Sequence, residues 1–306
     1  MGSAIVMPAK LPSLIFAALC FIWGSTWLAI KVGLGFLPPF LFAGLRFALA
    51  SVVLAFLVKL FHARFPRDRS SWLTMLFLGI FQITLPYGLV FWGEQYISSG
   101  LSAVLFATLP FFVVIFAHVL IKAEPITRRK ALGVIAAFVG LATIFWRDLA
   151  SAQGSTVSFS LLGSLACVGS SASGGLAIVI AKKYAGGIDP PANVFIQSII
   201  GAFCLSIVGV ITERGIALEL VPTAIGAVLY LGVIGSALAF VGLYWLFTKT
   251  SATNSSLIAF ITPIVALVLG WVILQERLEL AVAFGTMLIL SGVYVTVSQD
   301  VVPSET

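Results

Sequence analysis

One arginine, Arg46, stands inside the apolar run that follows Pro39. A guanidinium surrounded by hydrocarbon is costly unless it is paired, hydrogen-bonded or hydrated. Two chemistries suit it: hydrogen bonds to helix ends, or recognition of a solute carboxylate by its planar fork of donors. The residues alone leave both open. Polar and aromatic side chains gather in particular apolar runs: Trp23 and Thr26 in the first, Gln82, Tyr87, Trp92 and Gln95 in the third, Tyr244 in the eighth and Asn254 in the ninth. The fifth and tenth runs are almost devoid of them. Such a spread suits the wall of a shared, aromatic and uncharged cavity. For Trp92, Tyr96 and Trp245 the alternative is a ring of aromatics at the membrane interface. For Ser164, Ser170, Ser171 and Ser173 it is close helix packing.

Little else could do chemistry. The two histidines, His62 and His118, sit in a loop and near a helix end. Cys20, Cys167 and Cys204 lie in apolar runs without metal-ligand spacing. The run Ser170-Ser171-Ala172-Ser173-Gly174 lacks the nucleophile-elbow spacing and a nearby base. With no phosphate-binding loop and no paired intramembrane acids, the chain reads as no enzyme, with no metal and no cofactor. Glu94 falls at the end of the third run. Glu124 and Glu276 close the fourth and ninth runs beside Arg128 and Arg277, where a salt bridge or a helix-end hydrogen bond is the expected role.

The elements that must position these residues are membrane helices. Hydrophobic residues make up 60% of the chain and charged residues 9%, with a mean hydropathy of +1.15. A spanning helix needs about 20 apolar residues. Ten runs qualify, near 12–32, 39–61, 72–93, 99–121, 131–147, 160–181, 192–212, 222–247, 253–274 and 281–298. The net charge of +6 sits in short loops rather than in a patch, which excludes nucleic acid as a partner. With the N-terminus inside, 12 Lys and Arg fall in cytoplasmic loops and 4 in outer ones, Arg46 being the seventeenth. That bias puts both termini in the cytoplasm.

The chain also repeats itself. Glu124 and Glu276, Gly133 and Gly285, and Gly140 and Gly292 are each 152 residues apart. Gly79 and Gly232, Trp92 and Trp245, Ser98 and Ser251, and Pro110 and Pro263 are 153 apart. Two repeats follow, 1–150 and 151–306, with five helices each. Five is odd, so the second enters the membrane upside down. The expected fold is an all-α polytopic membrane protein of ten helices in two inverted five-helix repeats. Pro110 and Pro263 fall mid-helix, where each is expected to kink its helix and serve as a hinge. Gly133, Gly140, Gly285 and Gly292 are spaced for close contact between the fifth and tenth helices.

Trp23-Gly24-Ser25-Thr26, the pair Arg46-Phe47, and the twice-occurring Ser…Pro…Glu…Gly series (Ser98, Pro110, Glu124, Gly133; Ser251, Pro263, Glu276, Gly285) carry a resemblance. On them the chain resembles the drug/metabolite transporter superfamily, in its ten-helix form with two EamA domains, and is similar to bacterial exporters of amino acids, aromatic ones included. The resemblance implies alternating access through a central cavity in the cell inner membrane. The partners expected are a small-molecule substrate and the lipid bilayer, with a monomer as the working unit. The rival within the superfamily is an exporter of drugs or quaternary cations, which would want an acid at mid-membrane. The rival of another class is a channel or structural membrane protein.

Overall fold

The computed structural model of the chain describes residues 11–121, 126–151, 159–247, 252–277 and 279–297. Among them are ten helical rods and no strand. The first half holds α1 (Leu11–Gly33), α2 (Pro39–Leu60), α3 (Arg69–Gly93), α4 (Ser99–Phe106 and Leu109–Leu120) and α5 (Arg128–Ser151). The second holds α6 (Phe159–Tyr184), α7 (Pro190–Thr212), α8 (Pro222–Leu229, Tyr230–Leu238 and Ala239–Phe247), α9 (Ala252–Leu274) and α10 (Leu280–Val297). Eight are long and apolar enough to cross a membrane, and α9 and α10 contribute shorter apolar stretches, Ile258–Leu274 and Leu280–Thr296. Large apolar side chains such as Phe56, Val119, Phe203 and Met287 point outward. An apolar belt of this kind is what lipid requires. The protein is a polytopic all-α membrane protein.

The helix starts follow from local chemistry. Proline occupies the first turn of α2, α7 and α8, where its missing N–H costs nothing. Asp68 caps α3, accepting from the Ser71 N–H at 2.7 Å and the Ser71 hydroxyl at 3.0 Å. Those two bonds hold its exposed carboxyl below the usual range. Ser98 caps α4 through the Leu101 N–H. Two glutamates distant in sequence cap helices across the bundle. Glu213 accepts from the N–H groups of Phe40 and Leu41 at the start of α2, at 2.7 and 3.0 Å. Glu276 accepts from those of Ser99 and Gly100 at the start of α4, at 2.8 and 3.2 Å. Of the two roles expected for Glu276, the structure has the helix-end hydrogen bond. Its counterpart Glu124 lies outside the described residues.

The packing respects the repeat. Counterparts stand five helices apart, and α2 packs on α7 and α5 on α10, each pair exchanging within itself. The contacts α1–α9 and α1–α8 are mirrored by α6–α4 and α6–α3. Where α5 crosses α10, a Cβ on Gly140 would meet the carbonyl oxygen of Gly285 at 2.6 Å, and one on Gly292 that of Gly133 at 2.5 Å. Only glycine permits backbones so close.

The structure departs from the expected helices in two ways. Both α3 and α8 contain π-helical segments, Gly79–Thr84 and Tyr230–Leu238, at matching places in the two repeats. No residue pattern announced them. The two prolines also differ. Pro110 is not mid-helix: α4 breaks at Ala107 and Thr108, and Pro110 sits in the first turn of the second segment. Pro263 lies within the unbroken α9. The break leaves Pro110 with no interior helical bond to disrupt.

Candidate functional site

A cavity of about 410 Å³ lies at the centre of the bundle. Trp23, Thr26, Trp27 and Ile30 of α1 form one wall. Arg46 comes from α2; Pro86, Tyr87 and Val90 from α3; Ala103, Phe106 and Pro110 from α4. Ser170 of α6, Phe240 of α8 and Thr262 and Pro263 of α9 complete it. Helices α5 and α10 contribute nothing. The volume falls within the roughly 300–1,000 Å³ of small-molecule sites.

The wall is mostly apolar and aromatic. Trp27 tilts against Phe106 at 5.5 Å between ring centres, and Trp23 meets Phe240 edge-on at 6.1 Å. Several polar atoms on it are already taken. Trp23 Nε1 donates to the Gly235 carbonyl at 3.2 Å and the Thr26 hydroxyl to the Trp23 carbonyl at 2.7 Å. Gly235 lies in the π segment of α8. Likewise the Ser173 hydroxyl of α6 donates to Phe81 O, in the π segment of α3, at 2.8 Å. Each bond runs from a neighbouring helix to a carbonyl inside a π segment.

The cavity was expected to be uncharged, and Arg46 alters that. Its side chain is 2% exposed. Nε donates to the Ser236 hydroxyl at 3.0 Å. The guanidinium carbon lies 4.7 Å from the Tyr87 ring centre, 5.3 Å from Phe47 and 6.0 Å from Phe91. Attraction of a desolvated cation to a ring face is worth up to about 2 kcal/mol. One terminal nitrogen, NH1, has no hydrogen-bond partner. No Asp, Glu or Lys joins Arg46 on the cavity wall. The site therefore holds one cation in an aromatic container, with one unused donor buried beside it.

The other residues named from the sequence are dispersed. Gln82 sits half-buried in the π segment of α3 and does not line the cavity. Trp92 packs edge-on against Tyr96 at 5.1 Å, and Gln95 donates to the Trp92 carbonyl at 3.0 Å, both at the end of α3. Tyr244 and Asn254 lie on α8 and α9, but their side chains are outside the described residues. Sequence reasoning passed over Ser236 as the partner of Arg46. Glu94 does stand at the end of α3, and its side chain there is fully buried.

Comparison with known proteins follows the same repeat. A model of the EamA-like transporter family matches residues 11–146 and again 161–298. The chain is similar to the uncharacterized transporter YoaV of Bacillus subtilis, 27% identical over 89% of this chain and 92% of that protein. It is 29% identical to the uncharacterized transporter YvbV of the same organism, over 94% and 92%. An uncharacterized transporter of Archaeoglobus fulgidus is 28% identical over 90% and 94%. Among solved structures, one crystal structure superimposes with a TM-score of 0.65 at 17% identity, over 93% of this chain and 96% of that one.

Proposed function

Because the chain belongs to the EamA-like transporter family, we propose that it exports small organic carboxylates, amino acids with aromatic or other apolar side chains first among them, by alternating access through the central cavity. The observation that supports this reading is the buried Arg46 guanidinium, with its unpartnered NH1, on an otherwise uncharged wall. A carboxylate placed there gains charge-assisted hydrogen bonds in a medium where they are strong. Trp23, Trp27, Tyr87 and Phe106 then offer ring faces and edges to the side chain. A drug or quaternary-cation substrate is disfavoured, because no acid on the wall would meet its charge.

In this reading the repeats, 1–150 and 151–306, sit in the cell inner membrane in opposite senses, with both termini in the cytoplasm and a monomer as the working unit. The loop charge bias of 12 to 4 supports the orientation. Thiol labelling at Arg64→Cys and Arg147→Cys is expected to report opposite faces.

The test is counterflow of each of the twenty amino acids in proteoliposomes. Phenylalanine, tyrosine, tryptophan and leucine are expected to exchange, and their amides, lacking the carboxylate, to fail. Counterflow itself separates a carrier from a channel. Arg46→Met is expected to abolish exchange while Arg46→Lys retains a fraction. Exchange of quaternary ammonium ions without any exchange of carboxylates would sink the proposal.

A further inference from the structure

Past Ile30, Val90 and Ala103 on the cavity wall lie Phe91, Ile97 and Leu101, all buried, and Ile97 and Leu101 also line a second cavity of about 370 Å³ together with Glu276. Between Phe91 and Ile97 along the chain stands a carboxyl, Glu94, that is 0% exposed. Neither of its oxygens has a hydrogen-bond partner. We infer that Glu94 is a proton-binding site that holds this end of the cavity shut: the sealed form carries a carboxylic acid, and opening the seal releases its proton to water. The inference rests on the cavity, not on the identity of the solute.

The placement follows from helix geometry. Tyr87, Val90 and Glu94 are spaced by three and four residues, so they share one face of α3. Tyr87 and Val90 line the cavity. Glu94 is the next side chain along that stripe, just past the last residue of α3. The seal and the cavity wall are therefore consecutive turns of one surface.

The charged and titratable groups that face Glu94 come from four neighbouring elements. They are Lys31 of α1, Arg46 of α2, Cys167 of α6 and Glu276 of the α9–α10 connection. None of them satisfies the carboxyl. The Lys31 ammonium donates to the carbonyl oxygens of Glu94 and Ile97, at 2.6 and 2.7 Å. Arg46 is held by Ser236 and three aromatic rings. Glu276 is engaged with the start of α4. Cys167 is wholly buried. A carboxylate in this position would lack donors on both oxygens, and burying a bare charge costs far more than burying a neutral acid. The sealed form is thus the protonated one.

When α3 and α4 part at this end, water reaches the carboxyl. The O–H bond breaks, the proton passes to water, and the anion remains hydrated in the field of Lys31. Closing reverses each step. The sealed form binds one proton more than the open form. Raising the pH therefore favours opening, by up to about tenfold per pH unit between the two dissociation constants. Lowering the pH favours sealing.

The full-length protein in lipid nanodiscs tests this without any solute. A pH-jump infrared difference spectrum of the wild type is expected to contain a protonated-carboxyl carbonyl band that Glu94→Gln lacks. If Glu94→Gln does not fold, the same band must shift in Glu94→Asp. Leu101→Cys, in the seal, then reports opening through its reaction with an impermeant maleimide. Its labelling rate is expected to rise more steeply with pH in the wild-type background than in Glu94→Gln, whose slope is that of the thiol alone. No such band, or equal slopes in the two backgrounds, would overturn the inference. A negative amino-acid screen would leave both measurements interpretable.

Discussion

The crossing of α5 and α10 gives a stability prediction whose size can be worked out. A Cβ added at Gly140 would stand 2.6 Å from Gly285 O, 0.8 Å short of the 3.4 Å at which ordinary contact begins. The obstacle is backbone, so the helices must separate. A gap of that size forfeits a quarter to a half of each dispersion contact across it. The buried side chains that depend on the crossing include Ala137, Leu141, Ile144, Val282, Ile289 and Val293. A loss of about 0.5 kcal/mol apiece amounts to about 3 kcal/mol, the upper end of the usual overpacking cost. Alanine returns about 1 kcal/mol of helix propensity. The net for Gly140→Ala is a destabilisation of about 2 kcal/mol, or a fall of about 4 °C in melting temperature for a chain of this size. The control is Gly226→Ala in α8, where an added Cβ meets nothing within 4 Å. It is expected to gain about 0.5–1 kcal/mol. Both are read by thermal unfolding of detergent-solubilised protein, followed by size-exclusion chromatography. A melting temperature for Gly140→Ala at or above wild type would refute the argument from backbone contact.

Three further outcomes are expected. Glu276→Ala orphans the N–H groups of Ser99 and Gly100, at about 1–3 kcal/mol for each buried donor; Glu276→Gln keeps one acceptor and should melt between Glu276→Ala and wild type. Tyr87→Ala removes the ring beneath Arg46, and a tenfold rise in the KM for exchange, about 1.4 kcal/mol, is expected; unchanged exchange of every solute would remove Tyr87 from the binding wall. Pro263→Ala restores a bond inside a continuous helix and should raise the melting temperature, while Pro110→Ala, in a first turn, should barely move it. Equal shifts for the two prolines would contradict the asymmetry.

The ten helices were legible because lipid demands long apolar runs whatever the packing. The cavity was legible only in part, because assigning polar residues to a run does not assign them to a face. Tyr87 and Glu94 differ by about 20° around a regular helix, whereas Trp92 is rotated by about 140° from Tyr87. That rotation accounts for Trp92 turning to Tyr96 instead of the cavity. Gln82 sits within the π segment, where regular counting to Tyr87 fails. The bond between Arg46 and Ser236 joins residues 190 apart and leaves no local trace. The same is true of the caps that Glu213 and Glu276 place on α2 and α4. The burial of Glu94 was hidden by its position: a residue just past a helix end looks wet until the neighbours that cover it are known.

The π segments bear on how the molecule is divided mechanically. Trp23 fastens α1 to a π-segment carbonyl of α8, and Ser173 fastens α6 to one of α3. In each case the knot ties the first helix of one repeat to the third helix of the other. A tilt of α1 that leaves α8 behind breaks the first bond, and a tilt of α6 that leaves α3 behind breaks the second. A body that swung with both bonds intact would therefore draw its helices from both halves of the chain.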